Sequence, residues 1–102
     1  AFFGAPVGLL FTIDRKLPAA SFIEYGAFLQ NIMISARGHG LDTCLQTGWS
    51  DYHRVIAREL PLAANEMLIA GMALGYAASE DPVNQLHTER SALSEFATFI
   101  QD

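Results

Sequence analysis

The stretch SFIEYGAFLQNIMISARGHG, residues 21–40, decides the fold because it predicts one long helix with apolar side chains on nearly every face. Ser21 precedes the apolar run and Glu24 follows three residues later, which is the spacing of an N-terminal capping box. Gly38 and Gly40 predict the end of the helix. Because a helix that is apolar all round is buried, we expect one of its faces to meet another subunit in so small a chain.

Apolar runs on either side of this helix predict strands. Residues 6–14, PVGLLFTID, are rich in β-formers, and residues 65–76, NEMLIAGMALGY, form a second clear buried strand. Residues 41–47, LDTCLQT, alternate weakly and predict a shorter strand that runs into Gly48 and Trp49. Together these segments predict an α+β domain with a mixed sheet and one buried central helix.

The remaining segments are shorter or more polar. Residues 50–60 predict an amphipathic helix that Ser50 caps. Three of its apolar side chains are expected to face inward: Val55, Ile56 and Leu60. Residues 77–90 predict a long polar loop, and residues 96–100, FATFI, predict a last strand. Since little chain remains beyond that strand, we expect it to pair with a neighbouring sheet.

Composition limits the classes of function. The 102 residues make one domain at most, and with 51% hydrophobic and 17% charged residues we expect a partner subunit to cover apolar surface. A net charge of −5 argues against nucleic-acid binding through a basic face. Charged residues interrupt the apolar stretches, so no membrane partner is expected. The start lacks a basic region and an initiator Met, so we interpret the chain as beginning in mid-domain, as a fragment or a processed product.

Chemically reactive side chains are few. One cysteine, Cys44, excludes an internal disulfide and indicates a reducing cytoplasm, and its place in a predicted strand favours a buried structural thiol over a nucleophile. The three histidines, His39, His53 and His87, are scattered without metal-ligand spacing, and we expect His53 and His87 on the surface rather than in proton transfer. The sequence lacks G-x-S-x-G, P-loop, H-E-x-x-H and G-x-G-x-x-G motifs, so it indicates no catalytic side chain and no metal.

Two pieces bear on ligand binding. In GLDTCLQTGW, residues 40–49, a strand opens into a turn of small residues where Gly48 lets the backbone approach a flat ligand. The stretch HTER ends the polar loop with Arg90, whose guanidinium fork matches the geometry of a phosphate. From the residues alone, an ion pair of Arg90 with Glu89, Glu95 or another surface carboxylate is favoured over a phosphate contact.

Four stretches in succession resemble the C-terminal half of the FMN-dependent nitroreductase family over nearly the whole chain. They are APVGLLFTID, FLQNIMISARGHGLDTCLQTGW, EMLIAGMALGYA and LHTERSALSEF. The resemblance implies that residues 1–102 form part of an α+β domain that dimerises with an identical subunit and binds FMN at the interface. It also implies that residues 21–38 are the central dimer helix and that the tail FATFIQD reaches over the other subunit.

The resemblance also assigns cofactor-binding positions. The segment whose backbone amides approach the flavin ring corresponds to Leu45, Gln46, Thr47 and Gly48. Leu45 stands where many relatives have proline. Arg90 corresponds to the basic residue that holds the FMN phosphate, and Thr88 stands where some relatives have lysine. The resemblance makes phosphate binding the favoured role of Arg90.

The implied function is an oxidoreductase in which FMN takes hydride from NADH or NADPH and passes it to a small-molecule acceptor, nitroaromatic or quinone-like. A flavin enzyme with another acceptor remains open. The family's N-terminal motif, rich in arginine and serine, is absent from the chain, so a separate chain could carry it. The alternative is a non-catalytic dimerising fragment that lacks the N-terminal part of the flavin site.

Overall fold

A computed structural model describes residues 2–101 of the chain. The helices and strands in chain order are β1 (Val7–Asp14), α1 (Ala20–Gly38), β2 (Asp42–Gln46), α2 (His53–Glu59), β3 (Glu66–Gly75) and α3 (Leu93–Phe96). Short 3-10 turns lie at Phe2–Gly4, Thr47–Tyr52 and Pro82–Gln85. The predicted α+β class is confirmed, as are the three strands.

The sheet has the order β1-β3-β2, and β3 pairs antiparallel with both neighbours. Therefore β1 and β2 run in the same direction, as expected for two strands joined by a crossover helix. We expected a mixed sheet, but each pairing within residues 2–101 is antiparallel because β3 lies between β1 and β2. The pairing of β1 with β3 shifts register between Phe11 and Thr12.

The core lies between one face of the sheet and α1. Phe11 of β1, Leu29 of α1, and Ala70 and Met72 of β3 form its buried cluster. Met72 is fully buried, at 0% exposure. Because burial of a large aliphatic or aromatic side chain contributes about 1.5–3 kcal/mol, this cluster fixes α1 on the sheet.

The predicted capping box at the start of α1 is wrong, although the helix itself is confirmed. The residue before the helix is Ala19, no side chain caps it, and Ser21 lies inside the first turn. The amide of Ser21 donates to the carbonyl of Pro18 at 2.9 Å. A backbone turn that begins at Pro18 therefore takes the place of the cap, and Glu24 is left exposed.

The predicted glycine stop at the end of α1 is confirmed. Gly40 has a φ of 74°, which a residue without Cβ adopts readily. Its amide donates to the carbonyl of Arg37 at 3.0 Å, and the amide of Leu41 donates to the carbonyl of Ala36 at 2.9 Å. This pair of bonds is a Schellman motif. Arg37 also forms an ion pair with Asp42 at 2.6 Å, so the helix end is tied to the start of β2.

We predicted that α1 is buried, but many of its side chains are exposed to solvent in this chain. Leu29 and Ala36 are buried, whereas Ile23 is 79% exposed and Ile34 is 60% exposed. The three described strands cover one face of α1, so its other apolar side chains have no described neighbour to bury them. Within residues 2–101, no helix is long and apolar enough to cross a membrane.

For residues 50–60, the prediction that three apolar side chains face inward is wrong for two of them. Ile56 is buried, but Val55 is 58% exposed, and Leu60, which follows the end of α2, is 39% exposed. Ser50 does not cap it; the hydroxyl donates instead to the carbonyl of Thr47 at 2.9 Å.

The predicted last strand at residues 96–100 is also wrong for this chain. Phe96 ends the short helix α3, and the residues after it have no strand pairing within residues 2–101. Phe99 is 73% exposed and Ile100 is 91% exposed. Pairing of this tail with a neighbouring subunit stays a prediction. The polar loop predicted for residues 77–90 is confirmed, apart from the turn Pro82–Gln85.

Two carboxylates tie the end of β1 to the start of β3. Asp14 accepts hydrogen bonds from the amide of Lys16 at 2.9 Å and from the side chain of Asn65 at 2.8 Å, and these bonds lower its pKa. Glu66 accepts from the amide of Ala63 at 2.7 Å and from Thr12 Oγ1 at 2.9 Å, which lowers its pKa as well. Hydrogen bonds to the charged form favour that form.

We expect these carboxylates to make the fold sensitive to acid. Both folded pKa values lie below the ordinary values of 3.8 and 4.5, so the stabilisation is complete above those values and is lost as the pH falls through the lowered ones. The check is the urea midpoint of unfolding between about pH 6 and about pH 3. The matched control carries Asp14→Asn and Glu66→Gln together and should show a flatter decline. An identical decline in both proteins contradicts the prediction.

Candidate functional site

The end of β2 opens into a cleft. Of the residues predicted to approach a flavin ring, Leu45 and Gln46 lie in β2, and Thr47 and Gly48 begin the 3-10 turn that follows. The cleft has a volume of about 590 Å³. Its walls are formed by Phe3, Gln46, Gly48, Trp49, Asp51 and Tyr52. Two of the four predicted residues, Gln46 and Gly48, therefore line one cavity.

Gly48 leaves the backbone of the cleft open. A Cβ placed on Gly48 would meet no atom within 4 Å. The residue before the turn, Gln46, is extended, with φ −130° and ψ 92°, so the chain leaves the sheet at this point. A flat ligand can approach the backbone here without meeting a side chain at Gly48.

Trp49 forms an aromatic wall of the cleft. A Cβ on Gly71 of β3 would lie 2.5 Å from Trp49 Cδ1 and 2.8 Å from Nε1, so the indole occupies space that only glycine leaves free. Phe2 stacks on the indole, with ring centroids 4.7 Å apart and planes inclined by 18°. Because side chains alternate along a strand, Trp49 lies on the opposite face of the sheet from Ala70 and Met72.

Gln46 carries an unused hydrogen-bond donor. Trp49 Nε1 donates to Gln46 Oε1 at 2.6 Å. Since an indole N–H only donates, this bond fixes which end of the amide faces Trp49. Gln46 Nε2 is buried and has no hydrogen-bond partner among residues 2–101. Because Nε2 has almost no accessible surface, it does not face the cleft; the open backbone of Gly48 beside Trp49 is the feature that fits a flat ligand such as a flavin ring.

Arg90 is exposed and is held by its own segment. Its Nη1 contacts Thr88 Oγ1 and donates to the carbonyls of Thr88 at 3.2 Å and Glu89 at 3.1 Å. The alternative role considered for Arg90 was a surface ion pair, but Arg90 forms no ion pair with a carboxylate in the described part of the chain. A hydroxyl that accepts from Arg90 still has its own hydrogen to donate, so Thr88 and Arg90 present donors side by side.

The predicted cofactor residues form two groups rather than one. Gln46 and Gly48 line the cleft, whereas Thr88 and Arg90 lie in a segment where, from Tyr76 to residue 101, each described residue except Ala97 is exposed. No hydrogen bond described for residues 2–101 joins the two groups. Contacts among the described residues therefore do not fix the position of Arg90 relative to the cleft.

The expectations for Cys44 and His53 are wrong. Cys44 lies in the edge strand β2 and is exposed. His53 is half-buried, accepts from the amide of Leu68 at 3.2 Å through Nδ1, and has Arg15 Nη2 at 2.6 Å from Nε2. The bond from Leu68 ties α2 to β3, and because Nδ1 accepts it, Nε2 is not free to accept from Arg15 as well. His87 is exposed, as predicted. In the described residues, no three His, Cys, Asp or Glu side chains are grouped as metal ligands.

A second open cleft, of about 550 Å³, lies between the end of β1 and the first half of α1. Burial raises the pKa of the Tyr25 hydroxyl in its wall. None of the predicted cofactor residues lines this cleft. The cleft beyond β2 is therefore the candidate site.

A three-stranded antiparallel sheet, one long apolar helix and an aromatic cleft beyond an edge strand define an α+β fold. The chain belongs to the Nitroreductase family, whose model matches residues 1–76. This confirms the family that the motifs indicated.

Named relatives agree with this assignment. The chain is 54% identical over 101 residues both to nitrobenzene nitroreductase from Ectopseudomonas oleovorans and to chloronitrobenzene nitroreductase from Comamonas testosteroni, covering 99% of this chain and 44% of each relative. The solved structure of the FMN-dependent nitroreductase NfnB from Mycobacterium smegmatis, in complex with NADPH, is similar with a TM-score of 0.92 and 29% identity. That match covers 98% of this chain and 45% of the solved one. The chain thus spans less than half the length of these relatives.

Proposed function

We propose that the protein carrying this chain is an FMN-dependent oxidoreductase that uses NADPH or NADH to reduce nitroaromatic or quinone-like acceptors. The observation that carries the proposal is the cleft beyond β2, where Gly48 leaves the backbone open beside the aromatic wall of Trp49. Support comes from the similarity to two relatives named for nitrobenzene and chloronitrobenzene, and to an FMN-dependent enzyme in complex with NADPH.

In this proposal the role of the chain is to bind and orient the flavin. When bound, FMN supplies the two-electron chemistry between the nicotinamide and the acceptor. In this proposal residues 45–48 hold the ring, with backbone donors on the turn and Gly48 permitting close approach. The ring of Trp49 forms an apolar wall beside them.

The phosphate is assigned to Arg90 and Thr88. The guanidinium remains charged and offers several donors, of which only Nη1 is occupied by described contacts. Thr88 orients Arg90 and retains its hydroxyl hydrogen for a phosphate oxygen. Such charge-assisted bonds are the stronger kind, which suits the recognition of a dianion by an otherwise acidic chain.

The proposal includes a homodimer in the cytoplasm. The exposed apolar face of α1, with Ile23 and Ile34, is covered by a second copy, and the tail with Phe99 and Ile100 reaches over that copy. Residues 1–102 form the C-terminal half of the domain. The arginine- and serine-rich part of the flavin site comes from the N-terminal half, in the same or in a separate chain.

The testing experiment is a visible absorption spectrum of the full protein, before and after incubation with FMN and desalting. We expect a retained flavin band at about one FMN per subunit, followed by oxidation of NADPH or NADH that depends on added nitrobenzene. Loss of all flavin on desalting contradicts the proposal and favours the non-catalytic dimerising alternative. If flavin is retained but neither nitroaromatic nor quinone acceptors are reduced, the result supports FMN binding and contradicts the proposed reaction.

A further inference from the structure

The chain before β1 follows a left-handed path beside the cleft beyond β2. Phe2 and Phe3 each have a φ of 52°, and Gly4 has a φ of 78°. Glycine adopts such angles readily, whereas a bulky residue brings its Cβ too close to the following carbonyl oxygen. The turn therefore holds two adjacent phenylalanines in a disfavoured backbone conformation, which other contacts must compensate.

The ring of Phe2 makes such contacts. It stacks on the indole of Trp49, with ring centroids 4.7 Å apart, and it occupies the space that Gly8 of β1 leaves free. The amide of Ala5 donates to the carbonyl of Phe2 at 3.0 Å and closes the turn. The packed ring of Phe2 thus anchors the turn on the sheet, and Phe3 follows directly after this anchor.

The ring of Phe3 has no such compensation among residues 2–101. Phe3 is 84% exposed, and it belongs to no stacked aromatic pair and to no buried cluster described there. It instead forms part of the cleft wall, together with Gly48, Trp49 and Tyr52. Because disfavoured backbone conformations are retained where they serve a function, we interpret Phe3 as a residue that contacts a ligand in the cleft.

We propose that Phe3 is a specificity-determining residue whose ring stacks against the aromatic ring of the acceptor. The inference rests on the proposed function and deepens it, because it names a residue that recognises flat, electron-poor acceptors. A nitro group withdraws electrons from its ring, so that ring is attracted to the negative face of a phenyl side chain. Since the proposed function places the flavin on residues 45–48, the exposed ring of Phe3 remains for the second flat molecule that enters the cleft.

The test is steady-state kinetics of the full protein with NADPH and nitrobenzene. We expect Phe3→Ala to lower kcat/KM for nitrobenzene about three- to tenfold, in the range of one aromatic pair. The kcat/KM values for NADPH and for ferricyanide, an acceptor without a ring, should stay within about twofold, as should the dissociation constant of FMN. Phe3→Tyr keeps the aromatic face and should retain the wild-type value for nitrobenzene.

Phe3→Gly tests the backbone conformation on which the inference depends. Phe3→Gly and Phe3→Ala both remove the ring and differ only in the Cβ, and glycine alone adopts a φ of 52° without strain. We expect the urea midpoint of Phe3→Gly to lie above that of Phe3→Ala, while both variants lose kcat/KM for nitrobenzene equally. A lower midpoint for Phe3→Gly contradicts the inference, because the left-handed turn would then be absent in solution.

The outcomes separate this inference from the proposed function. A wild-type protein that binds no FMN, or reduces no nitrobenzene, overturns both. An active wild type with an unchanged kcat/KM for nitrobenzene in Phe3→Ala overturns the inference alone. Equal losses for NADPH or ferricyanide, or weaker FMN binding, also overturn it, because Phe3 would then shape the cleft or hold the flavin. A Phe3→Ala protein that loses its dimer shows that a second copy covers the ring, which is a further contradiction.

Discussion

Gly71→Ala should lower the free energy of unfolding by about 2–4 kcal/mol, combining overpacking with the loss of one hydrogen bond. The added Cβ would lie 2.5 Å from Trp49 Cδ1, 2.8 Å from Nε1 and 3.0 Å from Cγ, and neither the ring nor the strand can give way by a small shift. Trp49 must therefore move, which breaks its stack with Phe2 and its bond to Gln46. Chemical denaturation followed by tryptophan fluorescence measures the effect, since Trp49 is the only tryptophan.

A matched glycine provides the control for this prediction. Gly26 lies within α1, and a Cβ there would meet no atom within 4 Å, so Gly26→Ala should stabilise the protein by up to about 1 kcal/mol through helix propensity. The cost of Gly71→Ala should also shrink in a Trp49→Ala background, read by circular dichroism. A similar cost in both backgrounds would show that the indole is not the cause.

The regular elements could be predicted because their signals are local. The apolar runs that became β1 and β3 and the glycine stop at Gly40 each depend on neighbouring residues. Errors arose where a competing local contact won. Ser21 was expected to cap α1, but its amide donates to the carbonyl of Pro18, so a backbone turn forms there instead. The antiparallel sheet could not be inferred because the insertion of β3 between β1 and β2 depends on long-range pairing.

The candidate site was predictable only in part, and for the same reason. Residues 45–48 were identified from the motif around them, and Gln46 and Gly48 do line the cleft. The contact of Trp49 with Gly71 depends on which residues of β2 and β3 face each other, a register that the weak alternation of β2 does not determine. The available signal was a glycine inside a buried strand, which marks a close approach.

Arg90→Ala should weaken FMN binding by about ten- to a hundredfold, because one charge-assisted hydrogen-bonded contact contributes about 1.5–3 kcal/mol. The prediction depends on the proposed function. Stability should not change, since Arg90 is exposed and its described contacts are with the adjacent Thr88 and Glu89. Riboflavin, which lacks the phosphate, should bind wild type and variant equally. Fluorescence titration with each ligand measures both affinities.

Arg58→Ala is the matched control for charge, because Arg58 is also exposed, lies in α2 and lines neither cleft. It should leave FMN affinity within about twofold at moderate ionic strength, since a solvent-exposed charge outside the cleft is screened. Arg90→Lys should retain part of the affinity, because the ammonium keeps the charge but loses the planar fork. If Arg90→Ala weakens riboflavin as much as FMN, then Arg90 supports the fold of the site rather than the phosphate. If it affects neither ligand, the resemblance has placed the phosphate on the wrong residue.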